Sequence, residues 1–325
     1  NDKLGGVCLN WGCIPTKALL GNAEIWELIE SAESVGFKVG DSSFDWTKII
    51  ANSREVAGKL SAGIDFLMKK NGVEIRKGFG RISPLGHVEV VDSNGDNTFG
   101  IQSGQIIIST GSRPRSIPGV TIDGTSVLSS RHAMELTSCP KSIVIVGGGA
   151  IGVEFAYFFN AFGCLVTLLE SENQLLPRED PEVAKLLEEL YSKKGIEIKT
   201  GVSVKEVEII DDVPSLKYTE GEQENILSAE KVLMAVGVEG LSDGIGLEAL
   251  GVRKNRDTIQ VNERQQTSVD RIWAIGDVAG APQLAYAAVA EGIAAVEFIA
   301  GRERPPINRE NIPNCVYSQP QVAST

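Results

Sequence analysis

An apolar run of strand length that ends in three consecutive glycines constrains this chain more than any other feature. Ser142–Val146 reads as a continuous buried strand of the parallel type. It runs into Gly147-Gly148-Gly149-Ala150-Ile151-Gly152, which fits G-x-G-x-x-G and opens a helix from Ala150 to about Phe162. In such a turn the first glycine makes the tight bend and the second lets backbone approach a pyrophosphate. The third allows helix and strand to pack closely, and the helix N-terminus contributes partial positive charge. The next strand, Cys164–Glu170, ends in a carboxylate 23 residues beyond Gly147. There it accepts from a ribose 2′-hydroxyl and repels a 2′-phosphate. No arginine follows within a few residues to receive a phosphate, so the pattern predicts NAD rather than NADP. A tight turn in a ligand-free α/β domain, with Glu170 merely solvated, is the competing reading.

Around this unit the alternation continues. A helix at Pro181–Lys194 and strands at Ile196–Thr200 and Val232–Val236 predict a doubly wound sheet, with Val204–Ile210 and Ser215–Thr219 as an antiparallel excursion. Before it come helices over Pro15–Ser34 and Trp46–Lys70 and short strands at Val73–Arg76, His87–Val91 and Gln105–Ser109. Arg115–Pro118 reads as a linker. After it come strands at Ile259–Val261 and Arg271–Ile275, a small-residue helix Leu284–Ala300, and a new unit beginning near Pro305. A length of 325 residues accommodates at least two domains. No apolar run approaches the ~20 residues that span a bilayer, and no signal-peptide pattern opens the chain. A cytoplasmic protein without membrane contact is therefore expected. The net charge of −12 argues against a nucleic-acid partner, because a phosphate backbone needs a basic surface.

Five cysteines in a chain this long are not the framework of a small secreted fold. Cys8 and Cys13 stand apart, within Cys8-Leu9-Asn10-Trp11-Gly12-Cys13-Ile14-Pro15-Thr16-Lys17. Four intervening residues suit a disulfide closed across one irregular turn, and Pro15 suits a first helical turn. Cys13 would then sit at a helix N-terminus, where dipole and free N–H groups lower a thiol pKa. That is equipment for reversible thiol–disulfide exchange. A zinc half-site and two reduced core cysteines are the alternatives; His87 and His132 lack metal-site spacing, and no metal is expected. Cys139, Cys164 and Cys315 read as inert packing residues.

The segment from Gly5-Gly6-Val7-Cys8 to Lys17 resembles the redox-disulfide motif of the pyridine-nucleotide-disulfide oxidoreductases, the dihydrolipoamide dehydrogenases above all. The likeness recurs in family order at Gly78-Phe79-Gly80, at Ser109-Thr110-Gly111-Ser112 and at the glycine turn with Glu154. It returns at Leu176-Pro177-Arg178-Glu179-Asp180, at Ala274-Ile275-Gly276-Asp277 and at Pro313 to Pro320. The resemblance implies that Cys8 is the interchange thiol and Cys13 the thiolate against the flavin, with Lys17 near the flavin ring and paired with Glu154. It implies FAD contacts from Gly80, Thr110, Gly111, Ser112, Gly276 and Asp277, and from Gln283, Leu284, Ala285 and Tyr286. It implies NAD contacts from Gly147, Gly148, Gly149, Ala150, Ile151, Gly152, Glu154, Glu170, Val202 and Gly237.

The implied fold is α/β, with two doubly wound Rossmann-like domains, the first interrupted by the second, and the start of an α+β dimerisation domain. Its boundaries are 1–116 and 252–312 for FAD, 117–251 for NAD, and 313–325 for the dimerisation segment. The implied reaction is dihydrolipoamide + NAD+ to lipoamide + NADH, in 2-oxo acid dehydrogenase or glycine cleavage complexes. Lipoyl domains of acyltransferase or carrier proteins would be the partners of a homodimer. The family's first βαβ unit should precede Asn1, and its partner-serving His–Glu pair should follow Thr325. The chain is therefore expected to be truncated at both ends, without stoichiometric FAD and inactive alone. Tyr286 and Val238 stand where many relatives have His and Arg. The alternatives are a mercuric or glutathione-type reductase, both usually NADPH-dependent and disfavoured by Glu170, or a non-catalytic NAD-binding fragment.

Overall fold

A computed structural model describes residues 3–83, 86–92 and 98–325. They form two compact units, one from residues 1–63, 114–237 and 313–324, the other from residues 64–113 and 238–312.

The first unit is built on a five-stranded parallel sheet in the order Val127–Ser129, Lys231–Met234, Ser142–Val146, Leu165–Leu169, Glu197–Lys199. Ile143, Val144, Ile145 and Val146 are all buried, as the unbroken apolar run requires of a central parallel strand. The edge strand Val127–Ser129 is too short to carry a pattern of its own, and the sequence reading missed it. The antiparallel excursion has three strands rather than two, Val202–Ile210, Val213–Glu220 and Gln223–Ser228. Its third strand is largely polar and exposed, so no hydrophobic alternation announces it.

Helix Ala150–Ala161 is buried from Gly152 to Phe159 and, Glu154 apart, is apolar nearly all round because it is covered nearly all round. Helix Cys13–Ser31 packs against it. Trp46, opening helix Trp46–Lys70, meets Phe158, Phe159 and Phe162 with ring centroids 5.4, 6.2 and 5.7 Å apart. The hairpin Asn314–Val316 and Val322–Ser324 belongs to the same unit.

The second unit holds the antiparallel sheet Phe79–Ile82, His87–Val91, Thr98–Gln102 and the parallel pair Ile106–Ile108 with Ile272–Ala274. Helix Ala285–Ile299 follows. Ile82, Ile108, Leu247, Ile259, Ile272, Ala274 and Val278 form its core. Val73–Arg76, expected as a strand, is not one. The segment is largely exposed and has no ladder partner among the described residues; β-branched composition makes no strand without a neighbouring backbone.

Candidate active site

Cys8 lies in a short helix, Gly6–Trp11, and Cys13 opens the 19-residue helix Cys13–Ser31. The two are joined by a disulfide with a Cα–Cα distance of 4.7 Å. Between them Gly12 breaks the chain direction. A Cβ there would lie 3.2 Å from both the Cys8 Cα and the Val7 carbonyl oxygen, so the two helical segments close up only around glycine. Thr16 ties the new helix to this break, its hydroxyl donating to the Gly12 carbonyl at 2.7 Å. Both cysteines are half-buried. With their sulfurs bonded to each other, neither is a zinc ligand nor an inert thiol in this state.

Lys17 follows Cys13 by one helical turn and so shares its face. Its ammonium donates to both oxygens of Glu154, at 2.7 and 2.9 Å. Glu154 projects from helix Ala150–Ala161 and is only 4% exposed. The Tyr317 backbone N–H donates to the same carboxylate at 2.9 Å, and the Tyr317 ring lies 4.9 Å from the ammonium. A buried carboxylate is thus met by three hydrogen bonds, two of them from a cation, the condition under which a buried charge is tolerated.

The glycine turn Gly147–Gly149 sits at the carboxyl end of strand Ser142–Val146, the end at which open α/β sheets bind ligands. Gly147 has φ +111°, and a Cβ on it would lie 2.4 Å from the Ala235 carbonyl oxygen of the neighbouring segment. A Cβ on Gly152 would lie 1.8 Å from the Gly147 carbonyl oxygen. Gly149, which caps helix Ala150–Ala161, faces open space instead. Gly148 is hemmed in by Leu175 and Glu170. Glu170 is 7% exposed. It accepts from the Gly148 N–H at 2.5 Å, the Ser171 hydroxyl at 3.0 Å and the Glu172 N–H at 2.8 Å. Much of its accepting capacity therefore goes to shaping the turn. Val202 is buried beside it and donates its N–H to the Glu170 carbonyl, while Gly237 turns the chain with φ +97° after strand Lys231–Met234.

In the second unit, the Ser112 hydroxyl donates to Asp277 at 2.5 Å, and the Thr110 hydroxyl donates to the Leu241 carbonyl at 2.7 Å. Gly111 has φ +74° and Gly276 φ +69°. Gly80 lies on the antiparallel strand Phe79–Ile82. Gln283 and Leu284 precede helix Ala285–Ile299, and Tyr286 is its second residue, half exposed.

Sequence reasoning missed Glu291. This acid is 3% exposed, accepts from the Gly276 N–H at 2.8 Å and pairs with Arg309 at 2.8 Å. Burial pushes its pKa up, opposed by the Gly276 N–H and Arg309. The one available signal is an acid among alanines and valines in Ala285–Ile299. Cys139 and Cys164, read as inert, interact through their thiols: the Cys164 thiol holds Cys139 below its ordinary range, while the Cys139 thiol and burial push Cys164 up.

The model of the family "pyridine nucleotide-disulphide oxidoreductase" matches residues 2–292. A dihydrolipoyl dehydrogenase of Chlorobaculum tepidum is 43% identical over 322 residues, 99% of this chain and 68% of that protein. One from Bacillus subtilis is 41% identical over 333 residues, 99% of this chain and 70% of that one. The crystal structure of LpdA from Mycobacterium tuberculosis superposes with a TM-score of 0.91 at 25% identity, covering 99% of this chain and 70% of LpdA.

Proposed function

The chain belongs to the pyridine nucleotide-disulphide oxidoreductases, and from that premise we propose that it oxidises dihydrolipoamide with NAD+, through exchange at Cys8 and Cys13. It is an oxidoreductase of the dihydrolipoyl dehydrogenase class and uses FAD and NAD(H). The observation that carries the mechanism is the disulfide whose second sulfur opens a long helix.

One thiolate of the dithiol attacks Cys8 Sγ, the Cys8–Cys13 bond breaks, and Cys13 leaves as a thiolate. The helix dipole and free N–H groups at that position stabilise the leaving charge. The second substrate thiolate then attacks the substrate sulfur of the mixed disulfide, so lipoamide departs as a cyclic disulfide and Cys8 as a thiol. The substrate loses two electrons and two protons, and the overall products are lipoamide, NADH and H+. Lys17, fixed by Glu154, sets a cation on the Cys13 face of the helix. The flavin, when bound, relays electrons between thiols and nicotinamide.

The polar turn Thr110–Ser112 with Asp277 fits a flavin dinucleotide's hydroxyls, and Gly80, Gly276 and Gln283–Tyr286 complete our assignment for FAD. For NAD we assign Gly147–Gly152, Glu154, Glu170, Val202 and Gly237. The open space at Gly149 supports this choice, since it leaves the helix N-terminus approachable. We assign residues 1–116 and 252–312 to FAD binding, 117–251 to NAD binding and 313–325 to dimerisation. Dithiols carried on lipoyl domains of acyltransferase or glycine cleavage proteins are the proposed substrates of a cytoplasmic homodimer. No helix of the described residues is long and apolar enough to cross a membrane.

The test has two parts. Mild dithiol treatment should raise the thiols counted in denaturant from the three free cysteines to all five. In the full-length protein with FAD bound, replacing either Cys8 or Cys13 by Ser should cut dihydrolipoamide-dependent NADH formation by at least about 10³-fold. Turnover surviving in either serine variant refutes the assignment.

A further inference from the structure

Opening the disulfide removes the cross-link between the Cys8 and Cys13 sulfurs and leaves them joined only through the four intervening residues, so exchange stays reversible only if the two sulfurs remain close. What holds the intervening loop is unusual. Asn10, 3% exposed, donates to the Leu4 and Gly6 carbonyls at 2.9 and 3.0 Å. Arg54, from helix Trp46–Lys70, donates through Nη2 to the Asn10 carbonyl at 2.8 Å. The same guanidinium lies over the Trp11 ring, 4.4 Å from its centroid, and the Arg131 guanidinium lies 4.0 Å from that centroid. Arg54 Nε is buried and has no hydrogen-bond partner among the described residues. Arg131 has Glu135 at 4.0 Å as its counter-charge. Two cations drawn to one aromatic ring stabilise it through the ring quadrupole while repelling each other. The ring therefore organises both, and neither is accounted for by a carboxylate of the exchange site.

We infer that Arg54 and Arg131 are positioning residues for the redox pair, clamping Trp11 so that Cys8 stays within reach of Cys13 when the disulfide is open. The inference rests on the exchange chemistry proposed above. A held loop makes re-closure an intramolecular step at high effective concentration, and a loosened loop lowers that concentration. Lower effective concentration favours the dithiol form and makes the reduction potential less negative.

The experiment equilibrates the whole protein in glutathione redox buffers, quenches with acid and alkylator, and reads the Cys8–Cys13 peptide by mass. Arg54→Ala and Trp11→Leu should each lower the effective concentration about tenfold, a shift of ~30 mV toward less negative potential. The double variant should add little to either, because both remove one clamp. Should Arg54→Ala fail to fold, Trp11→Leu alone carries the measurement. Three results overturn the inference. An unmoved equilibrium with a lowered Tm makes the cluster merely structural. A shift to more negative potential in Arg54→Ala, with Trp11→Leu silent, makes Arg54 a bare charge that favours thiolate. A wild-type pair that neither glutathione nor dihydrolipoamide reduces brings down the proposed function itself, and the clamp with it.

Discussion

Lys17 and Glu154 stand 137 residues apart and meet at 2.7 Å. No local property of either residue foretells the other. The pairing was legible only through the family motifs that flank both, and the Tyr317 N–H on the same carboxylate was not legible at all, since a backbone donor has no residue signature. Glu291 shows the converse. Its neighbours are small and apolar, so the helix reads as core, yet its carboxyl holds the Gly276 N–H beside Asp277. Because its folded pKa is raised, its contribution to stability is fully present below the ordinary carboxylate range and is lost as pH rises through the folded value. Unfolding free energy of the wild type should therefore contain a component that falls as pH is raised from about 4. Glu291→Gln, which cannot ionise, should lack that component. Urea titrations of both proteins from about pH 4 to about pH 7 decide it: a stability difference between them that does not change with pH would show that burial does not govern this carboxyl.

At the scale of elements, what the sequence displayed best was whatever repeats. Helix Trp46–Lys70 has the bounds its periodicity predicts, and the central strand and fingerprint helix stand where the apolar run and glycine turn put them. Three-residue strands such as Val127–Ser129, and exposed ones such as Gln223–Ser228, are made by their neighbours' backbones, which no local pattern reports. The glycine turn separates two kinds of requirement within six residues. A methyl at Gly152 collides with the Gly147 carbonyl, whereas one at Gly149 meets nothing within 4 Å among the described residues. Gly152→Ala should thus cost at least about 2 kcal/mol, as overpacking of a tight contact does. Gly149→Ala should change stability by no more than about 0.5 kcal/mol, as expected where nothing is crowded. If a pyrophosphate docks there, Gly149→Ala should nevertheless weaken NADH binding at least about tenfold, because a Cβ then occupies the ligand's approach. Isothermal titration beside thermal melts reads both quantities. Unweakened NADH binding in a well-folded Gly149→Ala would move the dinucleotide elsewhere.

Across the whole molecule, chain order and packing order diverge. Residues 1–63 share a compact unit with residues 114–237, although fifty residues of the other unit intervene. Long-range packing of this kind leaves no trace in periodicity, because each helix shows which face is apolar but not whose surface covers it. Here the covering is aromatic: Trp46 sits among Phe158, Phe159 and Phe162 and donates its indole N–H to the Leu136 carbonyl at 2.8 Å. It is 7% exposed, so its removal leaves a cavity between the redox segment and the nucleotide fold. Trp46→Ala should cost about 3–5 kcal/mol. Because the two segments share one core, the loss should be felt on both sides of the gap in sequence. Amide hydrogen exchange should quicken by similar factors in helix Cys13–Ser31 and in strand Ser142–Val146, the cooperative opening expected of one folding unit. Faster exchange confined to helix Trp46–Lys70, with strand Ser142–Val146 as protected as before, would mean that the redox segment opens independently of the sheet.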